Sequence, residues 1–251
     1  MAHIGLIVGS GALSWDPGWR EEGGTGTAFG DASAPLRVAA VAGHVISAIA
    51  RHGVPHRFAP HAVNYRANLT LLAEAGVEVV IALNTVGGIS PFATTGALLV
   101  PDEIIDYSWG RQQTFSPDDA VRHIDFSLPY DQRLRQVLLD AGRRAGLELH
   151  DGGVMGVTQG PRLETAAEIR RMARDGCDMV GMTGMPEAAL ARELDLPFAA
   201  LAMVVNPAAG LADRVIDLAE IQAASARCMK DAIRLVEVLL EGFVGLEEIG
   251  G

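Results

Sequence analysis

The chain has 251 residues, 49% of them hydrophobic but only 5% aromatic, enough for one large domain whose core packs small side chains closely. A formal net charge of −11 argues against a nucleic-acid binder and against an anionic membrane surface, while leaving room for a local basic site for a small anion. Two cysteines, Cys177 and Cys228, rule out a disulfide scaffold, lack metal-ligand spacing, and read as buried thiols in a reducing compartment.

The chain enters the apolar run Ile4–Val8 at once, without a basic leader or a cleavage site, and no apolar run reaches membrane-spanning length. The expected location is therefore the cytoplasm. Gly9-Ser10-Gly11 follows as a turn able to offer N–H groups and a hydroxyl to an anion. It lacks the third glycine of a dinucleotide fingerprint, which weakens a nicotinamide-dependent reading. Residues 15–34 read as a surface excursion or hairpin, and Val38–Ile49 as one or two strands about Gly43. Arg51-His52-Gly53-Val54-Pro55-His56 is a tight basic loop in an acidic chain. It is either a solvated turn or an anion site in which Arg51 offers a planar fork to phosphate.

A helix is expected from Asn64 to about Ala75, then a strand Val77–Leu83 and a turn Asn84-Thr85-Val86-Gly87-Gly88. Short strands at Leu98–Val100 and Ile104-Ile105 precede a loop, Ser108–Asp119, and an extended His123–Phe126. An amphipathic helix Tyr130–Arg144 and an extended run Leu147–Val157 come next. Pro161 and Pro186 stand at expected first positions of helices, with Met179-Val180 a buried strand between them. Phe198–Val205 is an unbroken apolar run, as buried strands require, and Asp217–Phe243 is a closing helix. With no repeat or linker, residues 1–251 read as a single domain. Three strand-like runs end in polar clusters, Thr158-Gln159-Gly160, Met182-Thr183 and Asn206. A parallel sheet would gather them on one rim, where open α/β sheets bind ligands.

These blocks, in this order, resemble the trimeric purine nucleoside phosphorylases: Gly9-Ser10-Gly11, Arg51-His52-Gly53, Asn64-Tyr65-Arg66-Ala67-Asn68, Gly160-Pro161-Arg162-Leu163-Glu164-Thr165 and Gly181-Met182-Thr183-Gly184-Met185-Pro186-Glu187. The methylthioadenosine and methylthioinosine phosphorylases are the most similar subgroup. The resemblance spans nearly the whole chain. It implies a central mixed, largely parallel twisted β-sheet flanked by helices, and a homotrimer. The implied reaction is attack of inorganic phosphate on C1′ of a purine nucleoside, without metal or cofactor. By resemblance, Ser10, Arg51, His52, Thr85, the Val86 backbone and Thr183 bind phosphate. Met182, Leu163, His56 and Tyr65 lie by the sugar, and His123 enters a neighbouring subunit's sugar pocket. Singly, Ser10, Thr85 and Thr183 read as turn-capping hydroxyls; as a set on strand ends they favour a ligand.

Substrate choice rests on three positions in that resemblance. Asn206 stands where 6-oxopurine enzymes carry Asn and methylthioadenosine enzymes Asp; an amide can donate to N7 or O6. Glu164 stands where 6-oxopurine enzymes carry Glu, which accepts from an N1–H that adenine lacks. Leu218 aligns with a histidine that binds the 5′-hydroxyl in ordinary purine nucleoside phosphorylases, and leucine suits a 5′-methylthio group. The implied substrate is S-methyl-5′-thioinosine, with inosine/guanosine or methylthioadenosine as the alternatives.

Overall fold

Strands without polar alternation need cover on both faces, and the central strands of this chain are of that kind. The computed structural model describes residues 1–9, 15–117, 119–212 and 217–246. In chain order they form β1 (His3–Val8), β2 (Arg20–Glu22), β3 (Gly26–Thr27), β4 (Gly30–Asp31), β5 (Leu36–Val41), β6 (His44–Ala50), α1 (Tyr65–Glu74), β7 (Val79–Gly88), β8 (Leu98–Val100), β9 (Glu103–Asp106), α2 (Gln132–Ala145), β10 (Leu149–Asp151), β11 (Val154–Val157), α3 (Ala166–Asp175), β12 (Met179–Gly181), α4 (Glu187–Glu193), β13 (Phe198–Pro207) and α5 (Leu218–Glu241).

The main sheet has the order β10-β8-β13-β7-β1-β6-β5-β2, and β12, β11 and β9 branch from β7. Strands β13, β7, β1 and β6 run parallel, as do β12, β11 and β9 among themselves. Antiparallel pairs join β8 to β13 and β5 to both β6 and β2. This is the expected α/β fold, a mixed and largely parallel sheet between helical layers. Alternate residues of β13 explain why its run is apolar throughout. Ala199, Leu201 and Met203 pack on one side against α2 and α5, with Leu134, Leu138, Leu235 and Leu239. Ala200, Ala202 and Val204 pack on the other side with Leu69 and Leu72 of α1 and Leu190 of α4.

Four local expectations are corrected. The turn expected at residues 84–88 is strand, because β13 and β12 both pair with it. The helix expected from Pro161 starts at Ala166, where Thr165 and Glu168 form a reciprocal capping box that fixes the first turn. The run Leu147–Val157 is two strands, broken by Gly152 and Gly153 at φ 94° and 108°. Residues His123–Phe126 join no strand. The rim is also less uniform than a purely parallel sheet, since β12 runs antiparallel to β7.

Candidate active site

The site forms where β7 changes partners. One edge of β7 is held by β13 along its length. Its other edge pairs with β1 from Val79 to Leu83, and then with β12 at Gly87 and Gly88. Between those partners no strand among the described residues lies beside Asn84, Thr85 and Val86 on that edge, and the sheet opens. Beyond the opening, β13 carries a bulge between Val204 and Asn206. Such an irregularity re-aims the side chains at a strand's end. Gly88 admits no side chain, since a Cβ would lie 1.7 Å from the Ala93 carbonyl oxygen.

The opening continues into a cavity of about 470 Å³. That volume falls in the range of small-molecule sites. Its walls include Thr85, Val86, Met182, Thr183, Leu163, Glu164, His52, His56, Asn206 and Ile221. Nine of the sequence-derived site residues thus share one cavity. A second depression of about 410 Å³ lies outside the same loop, lined by Tyr107, Trp109, Arg162 and Arg171 among others. It shares Glu164 and Thr158 but carries neither Thr85 nor Thr183.

Arg51 closes the inner end of the opening, where groups of the chain itself hold its fork. The side chain is 1% exposed, and Nε and Nη2 donate to Glu187 Oε1 and Oε2 at 2.6 and 3.1 Å. Nη2 also donates to Asn84 Oδ1 at 2.7 Å, and Nη1 to the Leu83 carbonyl at 3.2 Å. The bidentate face therefore reads a carboxylate of the chain itself. Glu187, fully buried, also accepts from the Gly184 N–H. A buried cation needs such a partner, because stripping its water is costly.

His52 is not the cation the loop composition suggests. Its Nδ1 lies 2.8 Å from the Phe58 carbonyl oxygen, which can only accept, so Nδ1 carries the proton. Burial, reinforced by the Arg51 charge, lowers its pKa to about 4. At neutral pH the ring is uncharged, with Nε2 an acceptor. His56 stacks on it at 4.4 Å between centroids, the two rings nearly parallel.

The opposite end of the cavity is built differently. Glu164 precedes α3 in a loop, and its Oε1 accepts from Thr158 Oγ1 at 2.6 Å. Asn206 is half-buried at the end of β13, and its Nδ2 donates to the Pro207 carbonyl at 2.6 Å. Met182 is half-buried under Gly160, where φ is +60° and a Cβ would sit 2.7 Å from the Met182 sulfur. Only glycine satisfies both conditions.

Three expected residues fall elsewhere. Tyr65 is buried at the start of α1, its hydroxyl donating to the Pro60 carbonyl at 2.8 Å, so it stands behind the wall rather than in the cavity. Leu218 is 66% exposed on the first turn of α5, and Ile221, one turn on, lines the cavity instead. Helical geometry explains the shift: residues three apart share a face, and the one nearer the sheet is the deeper. His123 is exposed and does not line the cavity of its own chain. Ser10 lies outside the described residues.

Sequence reasoning missed Arg111, which sits in a loop without periodicity. It is 8% exposed and bonds the carbonyls of Thr158, Gln159, Met182 and Met185. A buried arginine whose acceptors are backbone oxygens leaves no complementary residue for a sequence to display.

Comparison with known proteins agrees with this geometry. The family model described as the phosphorylase superfamily matches residues 4–241. A probable S-methyl-5′-thioinosine phosphorylase of Pseudomonas syringae pv. tomato is 54% identical over 200 residues, 79% of this chain and 81% of the relative. The 6-oxopurine nucleoside phosphorylase of Pyrococcus furiosus is 37% identical over 243 residues, covering 94% of this chain and 91% of its own. Among solved structures, the methylthioadenosine phosphorylase from Schistosoma mansoni in complex with adenine superposes with a TM-score of 0.88 at 26% identity, covering 96% of this chain and 91% of that one.

Proposed function

Because the chain belongs to the phosphorylase superfamily, we propose that it catalyses phosphorolysis of S-methyl-5′-thioinosine, giving hypoxanthine and 5-methylthioribose 1-phosphate. The observation that carries this reading is the convergence of Glu164 and Asn206 with Thr85 and Thr183 on one cavity where β7 changes partners. The hydroxyls and the Val86 N–H suit a phosphate at the sheet opening, and neutral His52 offers an acceptor to a phosphate or ribose hydroxyl. Phosphate oxygen attacks C1′, the bond from C1′ to N9 breaks, and its electron pair moves onto the purine. A donor at N7 or O6 gains strength as that charge grows, which is the role proposed for Asn206. Glu164 accepts the N1–H of hypoxanthine, with Thr158 orienting the carboxylate. Met182 packs under the ribose, and Leu163 and Ile221 give the 5′ substituent apolar cover.

Catalysis of this kind draws on positioning and electrostatics, so phosphate enters as a co-substrate and no cofactor is called for. The proposal includes a cytoplasmic homotrimer of one domain over residues 1–251, in which His123 reaches a neighbour's sugar pocket. Consistent with that location, no helix among the described residues is long and apolar enough to cross a membrane. The apolar cover at Ile221 favours methylthioinosine over inosine, while the Pyrococcus relative keeps a general 6-oxopurine activity as the second reading. A panel of methylthioinosine, methylthioadenosine, inosine, guanosine and adenosine, with and without phosphate, separates them. Phosphate-dependent release of hypoxanthine fastest from methylthioinosine is expected, and preference for methylthioadenosine would reject the proposal. Light scattering after size exclusion reads the oligomer.

A further inference from the structure

We infer that Arg111 is a positioning residue for the nucleoside half of the site, clamping the loop that carries Glu164 to the loop that carries Met182. The inference rests on the cavity being the phosphorolysis site.

The two loops follow β11 and β12, and neither is regular. Residues 158–164 must leave the sheet, pass Gly160 at its left-handed φ, and present Glu164 before α3 begins. Residues 182–186 bring Met182 and Thr183 to the cavity before α4 begins. Arg111 enters between them from the loop after β9. Its Nη2 lies 2.9, 3.1 and 3.0 Å from the carbonyl oxygens of Thr158, Gln159 and Met182. Its Nη1 donates to the Met185 carbonyl at 2.5 Å, and its Nε to Gln159 Oε1 at 3.3 Å. The guanidinium also lies over the Tyr65 ring, 5.5 Å from its centroid, so a buried aromatic sets its plane.

Two features make this more than packing. First, the acceptors belong to the residues whose neighbours touch the substrate: Thr158 itself orients Glu164, and Met182 lines the cavity. Second, no carboxylate among the described residues lies within ion-pair distance of Arg111, in contrast to Arg51. A buried guanidinium held by neutral partners, four carbonyl dipoles, the Gln159 amide and the Tyr65 hydroxyl, keeps much of its positive field. That field lies beside a cavity proposed to bind phosphate and a purine gaining negative charge. A planar five-donor fork spans the two loops; a lysine ammonium keeps the charge but not the span.

The test is steady-state kinetics of wild type, R111K and R111A, varying methylthioinosine and phosphate separately, with circular dichroism and melting as controls. R111K is expected to lose about 100-fold in kcat/KM for the nucleoside, the scale of a 1 Å misplacement, while KM for phosphate moves less than about threefold. R111A is expected to lose at least as much, and millimolar guanidinium ion to restore part of the nucleoside rate. Wild-type constants in R111K would overturn the inference. So would an equal loss on both substrates without guanidinium rescue, or failure of both variants to fold, since each marks a purely structural arginine. Wild-type protein inert towards every nucleoside of the panel would instead reject the function, before any variant is read.

Discussion

The two ends of the cavity are prepared to different degrees. At the inner end, Arg51, Asn84 and Glu187 form a closed and buried hydrogen-bonded cluster, and Thr183 and Val86 are buried beside it. At the outer end, Asn206 and Glu164 are half-buried, Leu163 is exposed, and the Asn206 amide is turned onto its own strand. The inner end is a fixed cradle that desolvation has already rigidified. The outer end must turn at least one amide to meet a base. On the proposed function, the phosphate common to every substrate would meet the rigid half, and the base that distinguishes them would meet the adjustable half.

The sharpest way to break this contrast is at Glu187. Glu187→Ala leaves Arg51 buried without its counter-charge, and a loss of about 3–5 kcal/mol in urea unfolding is expected. A loss below 1 kcal/mol would mean that the cluster is not what holds the inner end. At the outer end, Asn206→Asp should lower the ratio of kcat/KM for methylthioinosine over methylthioadenosine by more than about tenfold, with little change in stability. An ionised carboxylate repels O6, whereas its protonated form can donate to N7 and accept from a 6-amino group. An unmoved ratio removes Asn206 from base reading. Thr158→Val should cost roughly 1.5–3 kcal/mol of transition-state binding for 6-oxopurines, the worth of a hydrogen bond to a charged group. Equal losses on methylthioadenosine would show that Glu164 does not read N1.

The His52 prediction concerns pH. Its folded pKa of about 4 lies below the ordinary 6.5 because burial, and then Arg51, oppose the charge. Between those values the unfolded chain binds a proton that the folded chain does not. The contribution is therefore complete above about pH 6.5 and is lost as pH falls towards 4. Melting of wild type should drop across that window, and His52→Gln should flatten part of the drop. A profile unchanged by the substitution would place the titration elsewhere. The smallest effect is expected at Leu218: exposed, it should tolerate histidine within about 0.5 kcal/mol and without a change in the methylthioinosine to inosine ratio. Ile221→His should lower that ratio. If Leu218→His moves it instead, the 5′ pocket lies nearer the helix start than Ile221.

Legibility followed the range of the interactions. Central strands, most helices and the strand-end positions of Thr85, Thr183 and Asn206 were readable, because apolar runs and their stops are local. The extension of β7 to Gly88 was not, since its partners are β12 and the end of β13. Arg51 and His52 were found, but not the buried partner of the one or the neutral state of the other. Glu187 lies 136 residues away from Arg51, and burial, which silences His52, is a property of the fold. The capping box at Thr165 was a local signal present in the sequence, and would have placed the start of α3 correctly. Arg111 left no signal, because most of its acceptors are backbone carbonyls and none is a carboxylate.

The partner change along β7 also bears on how activity is acquired. The cavity draws on β7, β12 and β13, on the loops after β6, β11 and β12, and on α5, segments that are distant along the chain. Loops that long must close before any two walls meet, which delays such contacts in folding. No hairpin among the described residues contains both halves of the cavity. During refolding, recovery of phosphorolysis should therefore trail the return of helical circular dichroism, and limited proteolysis that removes α5 should abolish substrate binding while leaving much of the sheet in place.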